Sequence, residues 1–117
     1  MPARVYICGA TGLVGTAEVN GWYEQADPEV YENADVSDSW LFLDLGRGHD
    51  QDGRRWRVGD TGEKDVRSSR QKGFAYQASE ACGKPPASGR WNVATGVTYP
   101  MKSYEGQVLN VTYPDRP

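Results

Sequence analysis

Apolar side chains in this chain recur at every second position, in short runs cut by Gly, Pro and Asn. That period sends alternate side chains to opposite faces of an extended strand. Arg4–Cys8 places Val5 and Ile7 on one face and Tyr6 and Cys8 on the other. Asn20-Gly21 is a turn signal, because both residues tolerate positive φ. Trp22-Tyr23-Glu24 and Val30-Tyr31 read as short strands. Trp40–Leu45 is the clearest strand, with Leu41, Leu43 and Leu45 on one face and Trp40, Phe42 and Asp44 on the other. Beyond a polar loop over 46–53, Arg55–Val58 reads as its hairpin partner, with Trp56 and Val58 pointing the same way. Asp60 to Lys72 reads as a loop or a short surface helix. Phe74–Gln77 and Arg90–Val93 are further strands, separated by a turn region over 78–89 holding Pro85 and Pro86. Gln107–Tyr113 closes the series with Leu109, Val111 and Tyr113 on one face.

Arg55-Trp56-Arg57-Val58 is echoed by Arg90-Trp91-Asn92-Val93. Two Trp-bearing strands of one pattern suggest pseudo-repetition, though a tetrapeptide does not establish a solenoid. The pattern predicts an all-β fold. It is expected to be a small antiparallel sandwich or barrel of seven to eight short strands with long loops. A length of 117 residues suits one domain over 1–117.

Composition changes the picture in one respect. Only 38% of the residues are hydrophobic, yet four Trp, seven Tyr and two Phe supply large rings. Aromatic mass is therefore expected to replace a scarce aliphatic core, with at least three of the four Trp inside. Charge is unevenly spread. Residues 1–46 hold eight acids and one base, whereas 47–72 hold eight bases and five acids. The first third is then a candidate partner for the middle, either within the fold or across a contact face. With a net charge of −3 the basic excess of a nucleic-acid binder is missing, and no nucleic-acid partner is expected. No run is apolar enough to span a membrane, and Met1–Val5 lacks the apolar stretch of an export signal. An intracellular, cytoplasmic location without membrane association is the resulting expectation.

Candidate chemistry is sparse. Cys8 and Cys82 are the two cysteines and His49 the one histidine, so a zinc site lacks ligands. Asp50-Gln51-Asp52-Gly53 resembles the core of a calcium loop, and Asp44 and His49 lie near it. The further oxygen ligands are missing at the required spacing, so no metal is expected. No carboxylate sits in an apolar setting that would tune it for catalysis, and no catalytic residue is assigned.

Val5–Cys8 followed by Gly9, Gly12 and Gly15 is similar to the strand and glycine loop of short-chain dehydrogenases. In that family the loop approaches a dinucleotide pyrophosphate at a helix N-terminus. The resemblance would make Gly9, Gly12 and Gly15 cofactor-binding residues of a degenerate NAD(P)-binding domain. Asn20-Gly21 interrupts the helix that this motif requires, so the expected reading is a glycine-rich loop between strands, with no cofactor.

A second resemblance spans residues 5–95. Its pieces are Gly9-Ala10-Thr11-Gly12, Val19-Asn20-Gly21-Trp22-Tyr23-Glu24, Val30-Tyr31-Glu32-Asn33, Trp40-Leu41-Phe42, Arg55-Trp56-Arg57-Val58-Gly59-Asp60 and Gly89-Arg90-Trp91-Asn92-Val93. In this order they resemble a Trp- and Gly-rich β module of algal and protist multidomain proteins and phage structural proteins. The resemblance implies a compact β fold and a non-catalytic interaction or structural role. Cys8 and the long 46–54 insert depart from the pattern.

The expected function is therefore binding of another protein, as a small part of a larger assembly. The candidate contact residues are Arg54, Arg55, Arg57, Tyr31 and Tyr76. Arg55 and Arg57 flank Trp56, and a plainer role for them is cation–π packing or a salt bridge to the acidic first third. Carbohydrate binding on an exposed Trp or Tyr platform is the alternative.

Overall fold

A computed structural model describes residues 4–12, 15–44, 54–66, 73–79, 81, 84–95 and 104–113. The eight strands foreseen from the alternation are present. They are β1 (Arg4–Cys8), β2 (Gly21–Asp27), β3 (Val30–Asn33), β4 (Trp40–Asp44), β5 (Arg55–Gly59), β6 (Ala75–Gln77), β7 (Gly89–Ala94) and β8 (Tyr104–Thr112). Each pairs antiparallel with the next, and β8 returns to pair with β1, so the sheet closes into a barrel. Between the two outcomes expected from sequence, sandwich or barrel, closure selects the barrel.

Register fixes which face turns inward. Ile7 stands opposite both Gly21 and Val111, Tyr31 opposite Leu41, Leu43 opposite Trp56, and Ala75 opposite Val93. The inward set of Val5, Ile7, Tyr23, Tyr31, Leu41, Leu43, Trp56, Val58, Trp91, Val93, Leu109 and Val111 is buried. An eight-stranded barrel has an interior just wide enough to be filled by side chains. Here two indoles and two phenols take much of that space, and the Tyr31 ring meets Trp56 edge-on at 6.2 Å.

The polar ends of these rings tie down the barrel rims. Trp56 Nε1 donates to the Lys84 carbonyl at 2.8 Å and Trp91 Nε1 to the Ala87 carbonyl at 3.0 Å. The two echoed strands thus anchor one crossing segment, which Tyr113 also reaches through its hydroxyl at the Pro86 carbonyl. At the opposite rim the Tyr23 hydroxyl donates to the Val19 carbonyl at 2.5 Å. A buried indole N–H or phenol without such a partner would cost about 1–3 kcal/mol.

Only two of the four Trp lie inside. Trp22 and Trp40 are half-buried on the outer wall, which corrects the expectation of three in the core. Tyr23 and Leu41, their chain neighbours, occupy the inward positions, and strand parity forbids both members of each pair from doing so.

The connections differ from simple turns. Asn20-Gly21 does not make a two-residue hairpin. Instead Asn20 accepts from the Ala10 N–H at 3.0 Å and donates to the Ala10 carbonyl at 2.9 Å, closing a longer loop. Gln107 does the same for Thr11, at 2.8 and 3.3 Å. Within Asp60–Lys72 a short helix α1 forms over Thr61–Val66. Asp60 and Glu63 cap it reciprocally, at 2.8 and 2.9 Å, as a Ser/Thr-type capping box would. Gly73 is required where it stands: its φ is +70°, and a Cβ there would meet the Val58 carbonyl oxygen at 2.5 Å.

Tyr23 generates a pH prediction. Burial pushes its phenol up to about 12, outweighing the opposing influence of the nearby Asn33 and Ser39 side chains. The folded value exceeds the unfolded value of about 10, so the stabilisation is complete below pH ~10 and is lost between ~10 and ~12. Circular dichroism and phenolate absorbance followed together should show unfolding in that window. Tyr23→Phe should move the midpoint upward. Reversible ionisation of every Tyr with the sheet intact at pH ~12 would contradict the burial.

Candidate interaction surface

The five residues singled out as a contact face do not form one. Tyr31 is inside the barrel, because it faces Leu41 across the β3–β4 pair. Arg57 has the expected outward parity but is 3% exposed, against Asp44 at 0%. Its Nε donates to Asp44 Oδ2 at 2.7 Å, on the diagonal between β5 and β4. The Arg57 guanidinium also lies 5.1 Å from the Tyr76 ring centre. Tyr76 in turn meets Tyr104 edge-on at 5.5 Å, and Tyr104 donates its hydroxyl to the Gly73 carbonyl at 2.6 Å. Burial, with Glu63 and Tyr76 nearby, pushes the Tyr104 phenol up to about 12. Arg55 donates to the Gln77 carbonyl at 3.4 Å and to that of Ala78. Arg54 alone of the five is exposed, and its carbonyl accepts from the Ala81 N–H at 2.7 Å. The outer face of β4–β6 is thus a second, covered layer. The plainer roles, a salt bridge to the acidic first third and cation–π packing, are the ones observed.

The glycine motif is likewise accounted for by the fold. β1 pairs antiparallel with β2, so the strand–loop–helix–parallel-strand unit of a dinucleotide site is not formed. Gly9 and Gly12 adopt positive φ in the loop, and Gly15 opens a single wide helical turn over Gly15–Val19. These three positions are withdrawn as cofactor-binding residues. Most of the candidate calcium loop, including His49, Asp50 and Asp52, lies outside the described residues, as does Cys82. Cys8 is free and half-buried on the outer wall. Among the described residues no group of three His, Cys, Asp or Glu could hold a metal. Nor is any helix among them long and apolar enough to cross a membrane.

One rim carries a polar cluster. Asp38 accepts from the N–H and hydroxyl of Thr61, which hold its carboxyl below the usual range. Partial burial, with Asp38 near, raises Glu18. Ser39 is buried and donates to the Glu18 carbonyl at 2.7 Å. Asn33 accepts two backbone N–H groups, from Asp35 and Val36, both at 2.9 Å. That fixes its amide orientation and leaves the buried Nδ2 without a partner.

The open part of the wall is the outer face of β8, β1 and β2. Tyr6 stands between Thr112 and Trp22 in one cross-strand row. The Tyr6 and Trp22 rings lie 4.8 Å apart, and the Arg4 guanidinium sits 4.6 Å over Trp22. Val108 on the same face is 68% exposed, opposite Arg90 of β7. The alternation in Arg4–Cys8 already placed Tyr6 outside. Trp22 was missed because a three-residue strand reading gives no parity of its own.

No family model matches the chain, and no curated protein or solved structure matches it.

The Asp44–Arg57 pair yields a stability prediction. Removing one partner leaves an uncompensated buried charge, which typically costs about 3–5 kcal/mol. Asp44→Asn should lower the urea midpoint accordingly, whereas Arg54→Ala should leave it nearly unchanged. Equal midpoints for wild type and Asp44→Asn would show the pair to be solvated.

Proposed function

We propose that this domain is a non-catalytic interaction module that binds another protein through the outer face of β8–β1–β2. The observation that carries this reading is the Arg4–Trp22–Tyr6 stack on the outer wall, with Val108 exposed further along β8. Trp, Tyr and Arg are the residue types that dominate binding energy at protein interfaces. A stack already ordered in the free domain loses little entropy on docking. The barrel interior supports no carrier role, since its own Trp and Tyr side chains take up the inward positions. The resemblance of residues 5–95 to a recurrent β module supports the same reading.

Carbohydrate stacking draws less support. It needs an indole face open to a sugar ring. Trp56 and Trp91 are buried, Arg4 covers Trp22, and Lys64 sits 4.4 Å over Trp40. Trp40 is held further by donating to Thr61 Oγ1 at 3.0 Å.

Affinity capture tests the proposal, with bait proteins first confirmed as folded by circular dichroism. A specific protein retained by wild type and by Arg54→Glu should be lost with Trp22→Ala and with Val108→Asp. Undiminished retention by both surface variants would overturn the assignment of this face.

A further inference from the structure

Asn20 and Gly21 form an asparagine–glycine pair, and no other asparagine in the chain precedes a glycine. Asn33, Asn92 and Asn110 precede Ala34, Val93 and Val111, whose side chains crowd the backbone nitrogen. A glycine nitrogen has no such shield, and the glycine backbone turns freely. It is therefore the neighbour best able to attack an asparagine side chain. The fold nonetheless requires both residues. The Asn20 carboxamide accepts from the Ala10 N–H at 3.0 Å and donates to the Ala10 carbonyl at 2.9 Å, and Ala10 is itself buried. An amide presents an acceptor and a donor side by side, and a carboxylate does not. Gly21 stands at a φ of +136°, which L side chains rarely adopt, and a Cβ there would lie 3.4 Å from Asn33 Nδ2.

We propose that Asn20 is a spontaneous modification site, whose deamidation is gated by opening of the loop between β1 and β2. The Gly21 nitrogen attacks Asn20 Cγ. A bond forms between them, the Cγ–Nδ2 bond breaks, and ammonia leaves with the proton that the Gly21 nitrogen gives up. The product is a five-membered succinimide. Water then opens the ring on either side, leaving aspartate or isoaspartate at position 20. Ring closure turns the carboxamide onto the next nitrogen of its own chain, so both bonds to Ala10 break first. Gln107 of β8 adds a second restraint, since its amide holds Thr11 through the same pair of bonds, at 2.8 and 3.3 Å. The closed loop thus guards the pair that closes it. The change runs one way. A carboxylate has no N–H for the Ala10 carbonyl and sets a negative oxygen against it. Isoaspartate also adds a methylene to the main chain just before β2, on which Trp22 stands.

Ageing of the full chain at mildly alkaline pH tests this. Peptide mass mapping reads the replacement of the amide nitrogen by oxygen, and enzymatic methyl labelling reads isoaspartate. Native wild type should lose the Asn20 amide at least about tenfold more slowly than the same chain in urea, because the reacting state is a local opening. Gln107→Ala, confirmed as folded by circular dichroism, should speed the native reaction and leave the rate in urea unchanged. Asn33, Asn92 and Asn110 should outlast Asn20 in the native chain. An Asn20 amide that survives prolonged ageing of the native chain would overturn the site, as would conversion of another asparagine at the same rate. Equal rates in the native chain and in urea, or a native Gln107→Ala rate equal to that of wild type, would overturn the gate.

Discussion

Pairing of β8 with β1 is the constraint on which the rest of this structure depends. Without it the sheet would have two edges, and the inward residues would line an open trough. With it, the cross-section is set by strand number, and the side chains inside must fill that volume and no more. Trp56, Trp91, Tyr23 and Tyr31 do so in a chain with few aliphatics. Each large ring contributes several kcal/mol of burial, and loss of one would leave a cavity that small neighbours cannot fill. Closure also gives every strand a neighbour on each side, which limits the usual route to edge-to-edge association.

Filling the barrel with Trp and Tyr has a structural consequence. Their polar atoms lie at the rims, where the end loops must supply acceptors. The Lys84–Ala87 segment and the Val19 carbonyl do this, so core and loops are ordered together. Asn20 and Gln107 extend the same logic to the β1–β2 loop, lending side-chain amides to backbone groups that no strand reaches. On the outer wall the two halves diverge. β4–β6 bury Asp44 and Arg57 under aromatic cover, whereas β8–β1–β2 leave an aromatic stack and an exposed valine facing outward.

Much of this fold was legible from alternation. Leu41 and Leu43, Trp56 and Val58, and Leu109 and Val111 were paired correctly onto inward faces, because four or more alternating residues define a parity. Val30-Tyr31 was too short to define one, and both side chains are in fact buried. Trp22 failed for the same reason. Arg57 failed differently: its outward direction was right, but Tyr76 stands opposite it on β6 and Tyr104 comes from β8, and no local pattern reveals that they screen it. The glycine motif misleads because positive φ serves a nucleotide loop and a connection between antiparallel strands alike. The Asp60–Glu63 capping box was present in the sequence and would have resolved the loop-or-helix choice. Which outer face the chain leaves open was not legible, since it depends on which face the chain itself covers.

Closure is tested most directly by amide hydrogen exchange, resolved by residue. In the closed barrel Tyr6 and Ile7 of β1 are flanked by β2 on one side and by β8 on the other, so both of their amides should exchange as slowly as those of β4 and β5. Fast exchange at one of the Tyr6 and Ile7 amides beside slow exchange at the other, the signature of a strand with one free edge, would show the sheet to be open and would contradict the account.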